Sequence, residues 1–371
     1  MAWYKIGGVV SVSQRIIELS DDYKELDPYL QDDVMLVCDD SLSFLRIKEK
    51  VKELKVVFSD VEPNPDYATV ERGVQLFRKS GCKKILAIGG GSTIDVAKCI
   101  KLYSNMDDDK NYLHQKIVQN DVALYAIPTT AGTGSEATQY AVIYYKGEKQ
   151  SVTHEDCIPS VVFFDPSVLE TLPDYQKKAT MFDALCHATE SYWSVNSTQE
   201  SRDYSRQAIE IILQNKDAYM KGDKTSFVNM LQAAYYAGKA INISQTTAGH
   251  AMCYKLTSLY GIAHGHAAAL CVSVLWPFMI ENMERTIDPR GKKHLKNIFE
   301  QLAQSYNCTT VEEAVNVFVG LVREMGLCAP DIPEKDCSVL CESVNPVRLK
   351  NHPIQLDDSC IYDLYCEIRN L

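Results

Sequence analysis

The chain has 371 residues, too many for one small hydrophobic core, so two domains are expected. Hydrophobic residues make up 46% and charged residues 23%, the balance of a globular protein. A net charge of −11 and a pI near 5.3 argue against nucleic acid or an anionic membrane surface as partner, though not against a small anionic substrate.

The opening stretch "MAWYKIGGVVSVSQ" has no basic segment followed by an apolar core, so no signal peptide is expected. Short β-branched runs follow at 34–38 (VMLVC), 55–58 (KVVF), 85–88 (ILAI) and 123–127 (ALYAI), which read as buried parallel strands. Helical stretches lie between them at 67–80 and 92–104, and further strands flank a turn within 141–152 and 160–166. This alternation predicts an α/β domain on a parallel sheet. Past "FFDPSVLETLP" the strand signal stops and helical periodicity takes over. The boundary lies near Pro166 to Pro173, giving an α/β domain over 1–168 and an all-helical domain over 169–371. The longest nearly apolar run, Ala267 to Ile280, is too short to span a bilayer and holds Pro277, so it reads as a buried helix. Thirteen cysteines are scattered without a CxxC pair, which fits free thiols in a reducing cytoplasm.

The strand ending in "VMLVCDD" delivers Asp39, an acid that can accept hydrogen bonds from both ribose hydroxyls and would repel a 2′-phosphate; a solvated turn carboxylate is the plainer alternative. "ILAIGGGSTIDVAK" runs from a strand through Gly89, Gly90 and Gly91 into a helix, with Ser92 as expected N-cap and Asp95 expected in the first turn. Such a loop offers bare backbone and a helix N-terminus to a phosphate, or is simply a tight turn. "AIPTTAGTGSE" (126–136) is a second loop after a buried strand, and its hydroxyls and glycines suit a pyrophosphate and ribose.

In the helical half, "FDALCHATE" puts Asp183 and His187 on one helix face. "GHAMCYKLTSLYGIAHGH" (249–266) holds three of the chain's eight histidines. His250 and His264 can complete one carboxylate and three imidazoles, a shell suited to Fe²⁺ or Zn²⁺; unrelated core histidines are the alternative. His266, two residues past His264, faces elsewhere. Near the C-terminus "VNPVRLKNHPIQL" reads as a loop in which Arg348, Lys350 and His352 form either a basic cluster able to hold an anionic tail or a solvated loop.

"GGGSTIDVAK", "PTTAGTGSE", "DALCHATES" and "GHAMCY…GIAHGHAAA", in this order and spacing, resemble the iron-containing (group III) alcohol dehydrogenases over nearly the whole chain. The resemblance implies the dehydroquinate synthase-like fold of that family: a nucleotide-binding α/β domain, an all-helical domain and an active site in the cleft between them. It implies metal ligands at Asp183, His187, His250 and His264 and pyrophosphate contacts at Gly89, Gly90, Gly91 and Ser92, with Asp95 towards the nicotinamide. Thr129, Thr130 and Thr133 fall on the second nucleotide loop, Lys149 near the nicotinamide ribose, and Asp39 on the acid that selects NAD(H) over NADP(H). A cytoplasmic homodimer is implied.

One position departs from the pattern. Where many members carry a second histidine one turn after the third ligand, this chain has Tyr254, a candidate proton donor or simply a space-filling ring. Tyr254 with the Arg348 and Lys350 segment resembles the branch of phosphonoacetaldehyde reductases, so the expected reaction is hydride transfer between NAD(H) and a short aldehyde. Phosphonoacetaldehyde to 2-hydroxyethylphosphonate is the specific expectation. A general short-chain alcohol dehydrogenase of the butanol, propanediol or ethanol type is the alternative. A dehydroquinate synthase-like lyase would need other ligands, and a non-catalytic NAD-binding protein should have lost some of them.

Overall fold

A computed structural model of the chain describes residues 5–6, 9–10 and 14–371. The expected absence of a signal peptide rests on a stretch lying almost wholly outside the described residues. Two compact units are present: Met1–Thr130 with Gly134–Leu172, and Ala131–Thr133 with Pro173–Leu371.

In the first unit, β1 (Lys5–Ile6) and β2 (Val9–Val10) form a short antiparallel pair. The main sheet takes β3 (Arg15–Glu18), β4 (Val34–Cys38), β5 (Val56–Phe58), β6 (Lys84–Gly89), β7 (Ala123–Pro128) and β10 (Val161–Phe164). Their order is β3-β10-β7-β6-β4-β5, and every pairing is parallel. β4 is buried at all five positions, as a central strand covered on both faces must be. β3 went unread in the sequence because "RIIE" is a short edge strand, mostly exposed and without apolar alternation. Between β8 (Tyr140–Tyr145) and β9 (Glu148–Thr153) the chain makes a separate antiparallel hairpin.

Helix α1 is a single turn (Lys48–Val51). α2 (Tyr67–Ser80) is capped by the Asp66 side chain, which accepts from the Thr69 N–H at 2.7 Å. α3 (Gly91–Tyr103) corrects two expectations: Gly90 in extended conformation is its N-cap, not Ser92, and Asp95 lies beyond the first turn. The glycine run lets the helix start two residues early, so no side-chain cap occupies the first free N–H groups.

The second unit is helical: α4 (Asp174–Trp193), α5 (Gln199–Met220), α6 (Lys224–Ser244), α7 (Ala248–Tyr260), α8 (His264–Glu281), α9 (Lys292–Ser305), α10 (Val311–Glu324), α11 (Glu334–Glu342) and α12 (Asp358–Ile368). Reciprocal capping boxes start α5 (Thr198 with Ser201) and α10 (Thr310 with Glu313). α4 and α8 are the central pair, and Trp193, Trp276, Phe299, Tyr306 and Phe318 interlock around them edge to face. α8 runs unbroken through Pro277. The C-terminal loop holds a 3₁₀ turn over Arg348–Asn351. Among the described residues, no helix is long and apolar enough to cross a membrane.

Candidate metal centre and nucleotide loops

α4 carries Asp183 and His187 on one face; α7 carries His250 in its first turn; α8 begins with His264. Gly265 sets how closely α8 approaches α4. A Cβ there would collide with the Ala179 carbonyl and come within 2.7 Å of the Asp183 Cβ, so only glycine allows the contact that puts His264 beside Asp183. Nε2 atoms of His187, His250 and His264 then lie 3.9, 3.5 and 3.8 Å from the same Asp183 oxygen, Oδ1. Ligand atoms of Asp183, His187 and His250 all fall within 4.8 Å of one another. His187 and His250 stack with ring centroids 4.4 Å apart.

Three buried atoms of this group have no hydrogen-bond partner: Asp183 Oδ1, His187 Nδ1 and His250 Nε2. Leaving such groups bare costs on the order of 1–3 kcal/mol each, so Asp183 Oδ1 and His250 Nε2, 3.5 Å apart, mark a place where something else binds. One carboxylate and three imidazoles suit a divalent transition metal, and the residues fit that group. Asp183, His187 and His250 are buried, whereas the His264 side chain is 37% exposed, so His264 forms the open edge.

The electrostatics agree with the geometry. Burial would raise the Asp183 carboxyl, but the surrounding imidazoles outweigh it and hold it well below the usual range. Burial pushes His187 down to about 4. It works against His250 too, yet the Glu190 and Asp183 carboxylates prevail and push that imidazole up to about 9.

Two neighbours of this cluster come from distant sequence. Tyr254, one turn after His250, stacks on His264 with centroids 5.5 Å apart and planes 18° apart. Arg348 lies over the other partner of that stack: its Cζ is 5.0 Å from the Tyr254 ring centroid, and Nη1 donates to the Tyr254 hydroxyl at 3.2 Å. Burial keeps the Tyr254 phenol well above its ordinary value, with Arg348 pulling the other way. Lys350 is exposed, and His352 is fully buried with both ring nitrogens unpartnered. His266 is engaged elsewhere, bonded to the Tyr175 hydroxyl and the Cys328 carbonyl, each at 3.0 Å.

In the α/β unit the two glycine loops start side by side, since the Thr129 N–H donates to the Gly89 carbonyl at 3.0 Å. Gly89 packs against the ends of β4 and α3, where a Cβ would lie 2.5 Å from Asp39 Oδ2. Asp39 is held at both oxygens, by the Ser41 N–H at 2.9 Å and by the Thr93 hydroxyl. Gly90, Gly91, Ser92, Thr130 and Thr133 are partly exposed, and Thr129 is buried. Asp95 accepts from the Ser135 hydroxyl at 2.6 Å and the Val142 N–H at 2.9 Å, and burial raises its carboxyl against the pull of Lys98. Lys149, half-buried on β9, adds a weaker pull on Asp95.

Two contributors went unassigned in the sequence. Lys98 is fully buried and donates to Ser135 Oγ, Thr138 O, Thr138 Oγ1 and Tyr140 O at 2.6–3.2 Å, fixing the second loop to α3. Glu190 is fully buried and holds His250 through Nδ1. Its position seven residues after Asp183, on the same helix face, was the available signal.

Iron-containing alcohol dehydrogenase family models match residues 13–166 and, for the C-terminal part, 177–366. The chain is 33% identical over 63% of its length to aldehyde-alcohol dehydrogenase 2 of Entamoeba histolytica, and spans less than a third of that protein, 28%. It is 30% identical to phosphonoacetaldehyde reductase of Streptomyces viridochromogenes, over 81% of this chain and 80% of that one. Relatives at comparable identity are named for other alcohols, butanol among them. The crystal structure of a sulfoacetaldehyde reductase from Bifidobacterium kashiwanohense with NAD⁺ superposes with TM-score 0.84 at 23% identity, over 100% of this chain and 99% of that one. The family-model matches cover both units, and the chain belongs to the iron-containing alcohol dehydrogenase family.

Proposed function

We propose that the chain is a metal-dependent NAD(H) alcohol dehydrogenase working as an aldehyde reductase, with phosphonoacetaldehyde as substrate and 2-hydroxyethylphosphonate as product. Asp183, His187, His250 and His264 would hold one Fe²⁺ or Zn²⁺. Gly89, Gly90, Gly91, Ser92, Asp95, Thr129, Thr130, Thr133 and Lys149 would bind the nucleotide, so residues 1–168 serve the cofactor and 169–371 the metal and substrate. When bound, the ion supplies Lewis-acid polarisation of the aldehyde oxygen and NADH supplies the hydride.

This chain's own residues do the rest. The free N–H groups at the start of α3 offer an anion site for the pyrophosphate. Asp39, fixed at the end of β4, favours ribose hydroxyls over a 2′-phosphate and hence NAD(H). Tyr254, kept neutral by burial, retains its proton and aims its hydroxyl at Arg348; the proton taken up by the product comes from solvent, this phenol or the cofactor ribose.

The observation that carries the substrate choice is the Arg348 guanidinium on Tyr254, which itself stacks on the exposed ligand His264. A fixed cation beside the open edge of the metal cluster suits a short aldehyde with an anionic tail. Phosphonoacetaldehyde and sulfoacetaldehyde, for which two of the similar proteins are named, have that form. Thirteen cysteines, none of them in a disulfide among the described residues, accord with a cytoplasmic protein, and a homodimer belongs to the same reading.

The test is NADH oxidation by protein purified anaerobically and loaded with Fe²⁺ or Zn²⁺, comparing phosphonoacetaldehyde with acetaldehyde, propanal and butanal. The expected result is a much higher kcat/KM for phosphonoacetaldehyde. Equal or better rates with the plain aldehydes would leave a general alcohol dehydrogenase with a solvated basic loop.

A further inference from the structure

We infer that Glu190 is a positioning residue for metal capture: it locks the His250 ring so that Nε2 faces Asp183. The inference rests on the metal reading of the Asp183 cluster and concerns a residue outside the ligand set.

Glu190 sits on α4 one turn beyond His187 and is completely buried. An ionised carboxylate in that position is costly unless its lone pairs are used. They are. Oε1 accepts from the Thr247 hydroxyl at 2.6 Å, the Thr247 N–H at 3.2 Å and the Gly249 N–H at 2.9 Å; Oε2 accepts from the His250 N–H at 3.2 Å and from His250 Nδ1. The first N–H groups of α7 thus end on a side chain from another helix, where the helix dipole favours an anion. Thr247, the N-cap residue, makes no cap bond of its own; its hydroxyl points to Glu190 and in turn accepts from the Trp193 indole N–H at 2.9 Å.

Capping alone does not require a buried charge, because a Thr hydroxyl at the N-cap can do it. The charge is accounted for by the ring. Donation from Nδ1 to a carboxylate keeps a proton on Nδ1, so Nε2 is the nitrogen whose lone pair a metal would take. That Nε2 is the orphaned atom 3.5 Å from Asp183 Oδ1. Carboxylates bonded to the far nitrogen of a ligating histidine fix its tautomer and orientation and raise its basicity.

The test compares Glu190→Gln with Thr247→Val, reading Zn²⁺ affinity by competition with a chelator, the visible spectrum of the Co²⁺-loaded protein, NADH binding and the Tm of the metal-free protein. Glu190→Gln keeps an acceptor for the α7 N–H groups but loses the charge on His250. It should bind Zn²⁺ about 10–100-fold more weakly, with an altered Co²⁺ spectrum and unchanged NADH binding. Thr247→Val removes a donor to the same carboxylate while sparing the ring, so it should lower the Tm of the metal-free protein but weaken Zn²⁺ binding much less than Glu190→Gln does. If Glu190→Gln does not fold, Glu190→Asp, which retains the charge and shortens the reach, should show the same metal defect. Parental Zn²⁺ affinity in the Glu190 variants, or an equal loss in Thr247→Val, overturns the proposal and makes Glu190 a helix cap. A parent protein that takes up no Zn²⁺ or Co²⁺ overturns the metal reading itself, and is distinguishable because no variant is needed to see it.

Discussion

The helical unit and the α/β unit solve opposite problems with polar side chains. Around Asp183 the ligand atoms stay unpaired: Asp183 Oδ1 and His250 Nε2 are buried without partners, 3.5 Å apart. Around the glycine loops the polar side chains are already spent on one another. Asp39 is tied to Ser41 and Thr93, Asp95 to Ser135 and Val142, and Lys98 to four oxygens. An ion must be offered bare lone pairs, and the fold bears that cost until it arrives. A dinucleotide is gripped largely through backbone N–H groups, so the side chains there can serve to hold the loops in place.

The contrast is broken most severely at Asp183. Asp183→Asn keeps the shape but removes the only carboxylate among the four proposed ligands. Metal content should fall towards zero and kcat/KM by on the order of a thousandfold. NADH binding should persist, as the proposed nucleotide residues other than Thr133 belong to the other unit. The same split is expected for His264→Ala. Metal analysis beside NADH titration checks both halves, and full turnover under strict metal depletion would remove the cluster from the chemistry.

The next effect tests the α/β unit. Glu136, at the end of the second loop, is buried, and burial outweighs the pull of Lys98 to push its carboxyl from 4.5 up to about 7. Between those values the folded chain keeps a proton that the unfolded chain has lost, so stability is full below about pH 4.5 and falls as pH rises through 7. Glu136→Gln should flatten that slope. At pH 4 the two proteins should unfold alike; at pH 8 the variant should be the more stable by up to about 3 kcal/mol. Urea midpoints across this range are the measurement, and parallel curves would mean Glu136 is not desolvated.

What the sequence made legible follows from range. The glycine turn and the Asp183 and His187 pair were readable because each lies within one strand-turn-helix or one helix. The partner of His250 was not, since Glu190 reaches it across sixty residues, and Arg348 reaches Tyr254 across ninety-four. Lys98 hid for another reason: with Asp95 and Lys101 one turn away it looks like part of a solvent-facing charged edge, and only the loop folded over it makes it a buried donor. The start of α3 was misplaced because glycine is equally at home before or inside a helix, so three in a row do not mark where it begins.

Smaller effects sharpen the helical side. Arg348→Gln keeps a polar side chain and removes the cation. A charge-assisted contact to a phosphonate is worth about 1.5–3 kcal/mol, so KM for phosphonoacetaldehyde should rise roughly 10–100-fold. KM for propanal, which has no anionic tail, should stay within about twofold. Equal rises for both would assign Arg348 to structure, and no rise for either would leave it as a solvated residue.

Tyr254→Phe asks the finest question, because it deletes one atom from the stack. The ring stays on His264, and the guanidinium keeps its aromatic face, while the 3.2 Å bond from Arg348 Nη1 goes. A single bond of this type is worth about 1 kcal/mol, so KM for phosphonoacetaldehyde should rise a few-fold while kcat with propanal holds. A proton-donating role predicts a different pattern: kcat would fall for both aldehydes, and the pH profile would shift. Burial favours the first outcome, because it raises the phenol well above its ordinary value and makes its proton harder to give up. Read with Arg348→Gln, the variant divides the anion-binding effect into the part due to charge and the part due to aim. Identical kinetics for parent and variant would reduce Tyr254 to a spacer between His264 and Arg348.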